Sequence, residues 1–255
     1  MRYWLKYSYL AAIYLFLYFP IGVLVLYSFN QSNFSMQWHG FTWQWYQQLM
    51  GNRQLLNVAC HSLLLGVTVA TGATLLGTLA ANCLYRYQFY GKKLLHLLTF
   101  VLIVSPEIVM AIALLLFFSF LEFSPSFWTL LLAHMVFCMP FVTVTVYSRL
   151  LGMDKNLYEA AKDLGANEWV IFRRILMPLM APALVAGWLL SFTLSLDDVI
   201  ISFFVSGPEF PLLPLEIYSW VRLGIKPELN ALCSVLLGVT LVLVLISQLL
   251  LRKRN

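Results

Sequence analysis

Six stretches of twenty or more mostly apolar residues run through this 255-residue chain, at roughly 8–27, 58–85, 94–121, 127–148, 179–205 and 229–251. About 20 such residues cross the hydrocarbon core of a bilayer as a helix. A helix is also the conformation that satisfies every backbone N–H and C=O without water. Four of the six stretches carry no charge, the third carries Glu107, and the fifth carries Asp197 and Asp198. The whole chain is 61% hydrophobic and 11% charged, whereas soluble domains have about 25% charged residues. An ordinary soluble enzyme, a disordered chain and a nucleic-acid binder are excluded. The expected fold class is an all-α integral membrane protein with six transmembrane helices.

Charge placement sets the orientation. With the N-terminus in the cytoplasm, 13 Lys and Arg residues fall on the cytoplasmic side; only Arg53, Arg222 and Lys226 fall outside. The positive-inside bias therefore puts both termini in the cytoplasm and explains the basic pI of 9.0 without a nucleic-acid partner. Arg2 and Lys6 before the first apolar stretch resemble a signal peptide. No A-x-A pattern closes that stretch, so it reads as an uncleaved first span. Cys60, Cys83, Cys138 and Cys233 each sit in an apolar run without C-x-x-C spacing, the pattern of small buried hydrophobes. Ala73, Gly77 and Ala81, and likewise Ala183, Gly187, Ser191 and Ser195, recur every four residues. Such stripes let helices approach closely, within this chain or against a partner. Three segments are expected: residues 1–57 with the first span and an outer aromatic stretch, 58–251 with the transport core, and a basic tail at 252–255.

The segment 149–178 differs from the rest, with 9 of the chain's 27 charged residues in 30 positions. Leu157, Ala160, Ala161 and Leu164 fall at i, i+3, i+4 and i+7, one apolar face of a short helix. Asn156 is its expected N-cap and Gly165 its end. Asn167 is expected to cap a second helix through Trp169, Phe172 and Leu176, with Pro178 at the entry to the fifth span. Such a helix–turn–helix is either an amphipathic loop on the lipid surface or a docking element.

Glu159-Ala160-Ala161, three residues, Gly165, nine residues, then Ile175-Leu176-Met177-Pro178 resembles the EAA loop of bacterial ABC-importer permeases, with Met177 where Leu is usual. Ser105–Ile112, Phe137–Leu150, Ser191–Ile200 and Lys226–Leu232 are similar to the members of that family that import spermidine and putrescine. The resemblance implies a type I importer permease in the bacterial inner membrane. It implies a second permease subunit as heterodimer partner, two ATPase subunits below, and a periplasmic polyamine-binding protein above. Glu159, Ala160, Ala161 and Gly165 hold the matching positions, and together with Glu168 are the candidate ATPase-coupling residues. The chain has no G-x-x-x-x-G-K-[ST] loop; its only Gly-Lys, Gly91-Lys92, has Arg86 where the first glycine belongs. No cofactor is expected in this chain, with ATP and Mg2+ in the partner ATPase.

Glu107, Asp197 and Asp198 have no intramembrane Lys or Arg to pair with, and ionisable groups at such depth mark functional sites by default. On unbroken helices Glu107 lies about 20 Å from the cytoplasmic start of its span and Asp197 about 27 Å from the start of the fifth. Adjacent residues on a helix point about 100° apart, so the two aspartates reach one pathway only if the helix is distorted or two subunits contribute. Carboxylates and aromatic faces both hold ammonium. Glu107, Asp197, Asp198, Ser195 and Trp45 are therefore the candidate substrate-pathway residues. The alternative is structural: an acid bonded to a neighbouring helix, or Asp197 capping a helix break. His134 and Cys138 lie one turn apart, but two ligands make no metal site; core packing is expected there. Trp38, Trp43, Trp45 and Tyr46 form an aromatic belt or a substrate-facing cluster. Phe203, Phe204 and Tyr147 are either pore-lining or core. Competing classes are a permease for another solute, an ion-coupled secondary transporter, and an intramembrane hydrolase with an aspartate dyad. A secondary transporter is expected to show internal repeats with paired broken helices, and no second half of the sequence visibly matches the first. The third fails on the 100° between neighbours.

Overall fold

The computed structural model describes residues 2–32, 37–154, 156–223 and 227–252. The described chain is helical: α1 (Arg2–Tyr27), α2 (Gln44–Gly51), α3 (Arg53–Arg86), α4 (Lys92–Val104), α5 (Glu107–Phe120), α6 (Phe127–Leu151), α7 (Asn156–Asp163), α8 (Glu168–Ile171), a π turn at Phe172–Leu176, α9 (Met177–Asp197), α10 (Ile200–Val205), α11 (Leu213–Leu223) and α12 (Pro227–Arg252). It divides into two compact units, Met1–Asn57 with Glu216–Asn255, and Val58–Leu215.

In the first unit α12 packs against α1 and α2. The apolar window of α1 buries none of its residues, the condition of a lipid-facing helix. The aromatic segment closes on itself. Phe29 stacks on Phe41 at 5.1 Å and meets Trp43 edge-on at 4.9 Å. The Tyr46 hydroxyl lies 2.6 Å from Ser28 Oγ.

In the second unit α6 is the central helix, packed on α9, α4 and α10. Both small-residue stripes are seams inside this chain. A Cβ at Gly77 would lie 2.8 Å from Val142 Cβ, and one at Gly187 would lie 3.2 Å from Val142 Cγ1. Val142 of α6 therefore sits between α3 and α9, and large residues at those two positions would push the helices apart. Ala73, Ala81, Ser191 and Ser195 are buried along the same seams.

Among the described residues, four helices are long and apolar enough to cross a membrane: Lys6–Tyr27, Arg53–Arg86, Phe127–Leu151 and Glu168–Asp197. The expected third span is not one straight helix. It is α4 and α5, bent by 114° at Ser105-Pro106. Proline lacks the N–H that a continuing helix needs and forces the preceding residue into extended backbone; Ser105 has φ −64°, ψ 136°. The depth reckoned for Glu107 on an unbroken helix therefore fails, because Glu107 opens a helix running in a new direction. The sixth expected span falls on α12, whose described apolar part is Pro227–Val242.

The fifth span departs in two ways. It does not begin at Pro178, because helix continues from Glu168 to Asp197. The π turn absorbs the proline: the Met177 N–H bonds back to Phe172 O, five residues away. Adjusting the ladder one turn before Pro178 accommodates its missing donor. At the far end the helix stops at Asp197. Asp198 is extended (φ −66°, ψ 122°), and six residues of α10 complete the stretch.

Candidate functional site

The two breaks bring the acids together. α5 packs against α10, so the segments that precede them, Ser105-Pro106-Glu107 and Asp197-Asp198-Val199, meet at one cavity. Its volume is about 290 Å³, and Glu107, Phe137, Leu194, Asp197, Asp198, Val199 and Ile200 line it. Glu107 and Asp197 are exposed, and Asp198 is buried. The helix distortion that one pathway for both aspartates requires is thus present.

The three acids are not equivalent. The carboxylate of Asp198 accepts the backbone N–H of Ile201 at 3.2 Å on Oδ1 and that of Ser202 at 2.7 Å on Oδ2. These are orphan donors of the first turn of α10, and a short acidic side chain ahead of a helix is the group that satisfies them. The capping residue is Asp198, not Asp197. The same Oδ2 also faces His134, whose Nε2 lies 3.5 Å from it and 3.2 Å from Ser202 Oγ. The ring's Nδ1 lies 3.0 Å from Ser195 Oγ. His134, Ser195, Asp198 and Ser202 are all buried. His134 is thus in the core, as its setting in an apolar span suggests, but as part of a polar network that the sequence reading missed. The signal was its place on α6, whose partner helix carries Ser191 and Ser195. Cys138 shares no ligand with it; its Sγ donates to Ser191 O at 3.6 Å.

Ser195 therefore faces the imidazole, not the cavity. Trp45 lies in the other unit, buried, with its Nε1–H donating to Asn30 O at 2.7 Å. Phe203 and Phe204 meet edge-to-face at 5.6 Å, whereas Tyr147 packs edge-on against His96 at 5.5 Å.

The polar loop forms the expected helix–turn–helix. Gly165 has φ +80°, the left-handed region. Its N–H bonds to Lys162 O at 2.8 Å and the next N–H, of Ala166, to Ala161 O at 3.0 Å, the hydrogen-bond pair of a Schellman ending. Asn167 caps the second helix by accepting the Val170 N–H at 2.9 Å. Asn156 is not a cap: it is the first residue of α7, and its N–H donates to Asp154 Oδ1 at 2.9 Å. Leu157, Ala160 and Leu164 are exposed and Ala161 is buried, so the expected apolar face is split between the core and the outside. Glu159 and Glu168 are exposed. Glu168 is nonetheless held: Arg86, from the end of α3, pairs with its carboxylate and donates to the Tyr158 hydroxyl, and Tyr158 donates to Glu168. The Arg86 guanidinium also lies 4.2 Å from the Tyr158 ring centroid, and Lys162 lies 3.4 Å from Glu168.

A bundle with two broken helices, acids at both breaks and a capped polar loop outside the apolar spans is the architecture of a membrane transport subunit. The family model described as "Binding-protein-dependent transport system inner membrane component" matches residues 73–254, and the chain belongs to that family. It is a multi-pass permease component of a bacterial importer, not an enzyme. The chain is 53% identical over 251 residues to the spermidine/putrescine transport system permease protein PotC of Escherichia coli K12, covering 98% of this chain and 95% of that one. It is 48% identical over 254 residues to PotC of Haemophilus influenzae, covering 100% and 99%. It is 40% identical over 231 residues to the putrescine transport system permease protein PotI of E. coli K12, covering 88% and 82%. Among solved structures, a chain of a bacterial ABC transporter that imports the acidic polysaccharide alginate superposes with TM-score 0.75 at 16% identity, covering 98% of this chain and 94% of that one. That likeness establishes the shared permease fold.

Proposed function

We infer that this chain is the permease subunit that carries polyamines, spermidine and putrescine, across the bacterial inner membrane in an ATP-driven importer. The observation that carries the reading is the pair of carboxylates, Glu107 and Asp197, that line one cavity from two adjoining helix breaks. A polyamine ammonium entering a low-dielectric site needs compensating charge, and two acids with the ring of Phe137 beside them supply the groups that hold it. The acids sit at breaks because only there does backbone turn aside and open space among packed helices. Near-full-length similarity to the PotC proteins supports the same substrate class.

Both termini lie in the cytoplasm, with the α7–α8 loop on that side. A second permease subunit completes the pathway, two ATPase subunits holding ATP and Mg2+ dock on that loop through Leu157, Ala160 and Leu164, and a periplasmic polyamine-binding protein delivers substrate. The helix from Glu168 to Asp197 joins loop and cavity in one piece, about 45 Å at 1.5 Å per residue. Movement of the docked loop is thereby delivered to Asp197. The test is uptake of labelled spermidine by proteoliposomes of the assembled importer. Glu107→Gln and Asp197→Asn are each expected to cut uptake at least about tenfold at unchanged membrane abundance. Wild-type uptake in both would remove the carboxylates from the pathway.

A further inference from the structure

The buried imidazole of His134 has no part in holding substrate, yet it touches both sides of the break that aims Asp197. We propose that His134 is a positioning residue that staples the α9–α10 break and so fixes the direction of Asp197 toward the cavity. The proposal rests on the carboxylate reading above and adds a residue to it.

Ending α9 at Asp197 and restarting at Ile200 leaves backbone donors that no lipid can satisfy. Asp198 takes two of them, from Ile201 and Ser202. A buried carboxylate that accepts only from α10 fixes that helix but leaves its relation to α9 loose. His134 supplies the missing link. Its ring bonds Ser195 one turn before the break and approaches both Asp198 and Ser202 at and after it. Backbone donors reach both carboxylate oxygens. The neutral imidazole offers one donor and one acceptor, and hydroxyls lie at both ring nitrogens. The ring comes from α6, the helix at the centre of the unit, and it is fully buried. It therefore anchors the break to the central helix of the unit. Asp197 lies between Leu196 and Asp198, so pinning Ser195 and Asp198 restrains the backbone that carries its carboxylate. Cys138, one turn along α6, donates to Ser191 O, and the titratable group that faces the ring is Asp198.

The experiment measures labelled spermidine uptake by the reconstituted importer with His134→Leu, His134→Gln, Asp197→Asn and the His134→Leu/Asp197→Asn pair, each normalised to permease in the membrane. His134→Leu fills the space without a hydrogen bond and is expected to lower uptake about tenfold, the scale on which small misplacements of a positioned group act. His134→Gln offers a donor and an acceptor and is expected to recover most of the loss. In the Asp197→Asn background, His134→Leu is expected to add no further loss, because it acts through the group already removed. A merely structural histidine would give losses that multiply. Losses that multiply, or wild-type uptake in His134→Leu, overturn the proposal while leaving the carboxylate reading intact. Wild-type uptake in Asp197→Asn overturns the proposal and removes Asp197 from the pathway, while the carboxylate reading as a whole falls only if Glu107→Gln is wild-type too. Should His134→Leu fail to reach the membrane, Ser195→Ala/Ser202→Ala, which keeps the ring but removes its hydroxyl partners, enters the same cycle with the same outcomes.

Discussion

Gly165→Val isolates the turn of the docking loop from everything else in the molecule. Gly165 sits at φ +80°, and a Cβ built there meets nothing within 4 Å. No side chain is displaced, so the penalty is carried by the backbone alone. A non-glycine residue in the left-handed region costs about 1–2 kcal/mol, and a β-branched one lies toward the upper end of the about 1–3 kcal/mol range for strained backbone. The variant loop can escape only by giving up the Gly165–Lys162 and Ala166–Ala161 bonds at 2.8 and 3.0 Å. Those groups are near water, so release is local and the spans stay folded. A shift of about 2–3 kcal/mol moves the turned-to-released ratio by about 30–150-fold. If the ATPase accepts only the turned form, its apparent affinity falls by whatever fraction of that form is lost. Copurification of the ATPase, spermidine uptake and ATP hydrolysed per spermidine are the measurements. The expected order of damage is Val above Ala above Asn, since Asn tolerates this region best after Gly. Unchanged uptake in Gly165→Val with the ATPase bound would refute the docking role. Equal damage from Asn and Val would show that the turn is not what matters.

Other expected outcomes follow from the same geometry. Asp198→Asn keeps one acceptor and turns the other into a donor facing the Ser202 N–H, so thermal stability in detergent is expected to fall, at about 1–3 kcal/mol per buried group left unpaired; an unchanged melting curve would mean that Asp198 does not cap α10. Arg86→Gln breaks a partly exposed ion pair worth less than about 1 kcal/mol to stability, so abundance is expected to hold while ATP consumed per spermidine rises; unchanged stoichiometry would remove Arg86 from coupling. Gly77→Ala forces a Cβ against Val142 and the Met139 carbonyl at 3.1 Å and is expected to destabilise by about 1–3 kcal/mol in a heat-challenge assay. Gly187→Ala, whose nearest neighbour is a methyl at 3.2 Å, is expected to cost less.

The parts of this fold that depend on local chemistry were readable from residues alone. Apolar length marked the spans, Gly165 and Asn167 marked the ends of the loop helices, and the four-residue stripes marked the seams that Val142 fills. What could not be read was where a span stops being one helix. Pro106 and Pro178 both interrupt apolar runs, yet one turns the chain by 114° and the other is absorbed in a π turn. The difference lies in the neighbours. Ser105 takes up extended backbone ahead of Pro106 and lets Glu107 start afresh. Ahead of Pro178, the residues from Phe172 hold the helix through bonds to the fifth residue. Periodicity cannot separate these cases, because either way the side chains remain apolar.

The same blindness explains why Asp197 and Asp198 seemed to compete for one role. Treated as neighbours on a continuous helix, they diverge by about 100° and neither is favoured. A break in lipid changes the problem, because the restarting helix exposes donors that must find an acceptor within the protein. A side chain just ahead of the restart is the nearest supplier. Asp198 is placed for that task and is consumed by it, with Ile201, Ser202 and His134 taking up its oxygens. Asp197, still on the end of α9, has no helix start to serve and lines the cavity. The pairing of the two acids is therefore itself informative: where a membrane helix must break beside a cation path, one carboxylate is needed to make the break and a second to use it. By the same reasoning a single acid at a break marks a cap before it marks a ligand, unless another group satisfies the restart. At α5 the Val109 and Met110 N–H groups bond back to Pro106 O, and the Glu107 carboxylate lines the cavity.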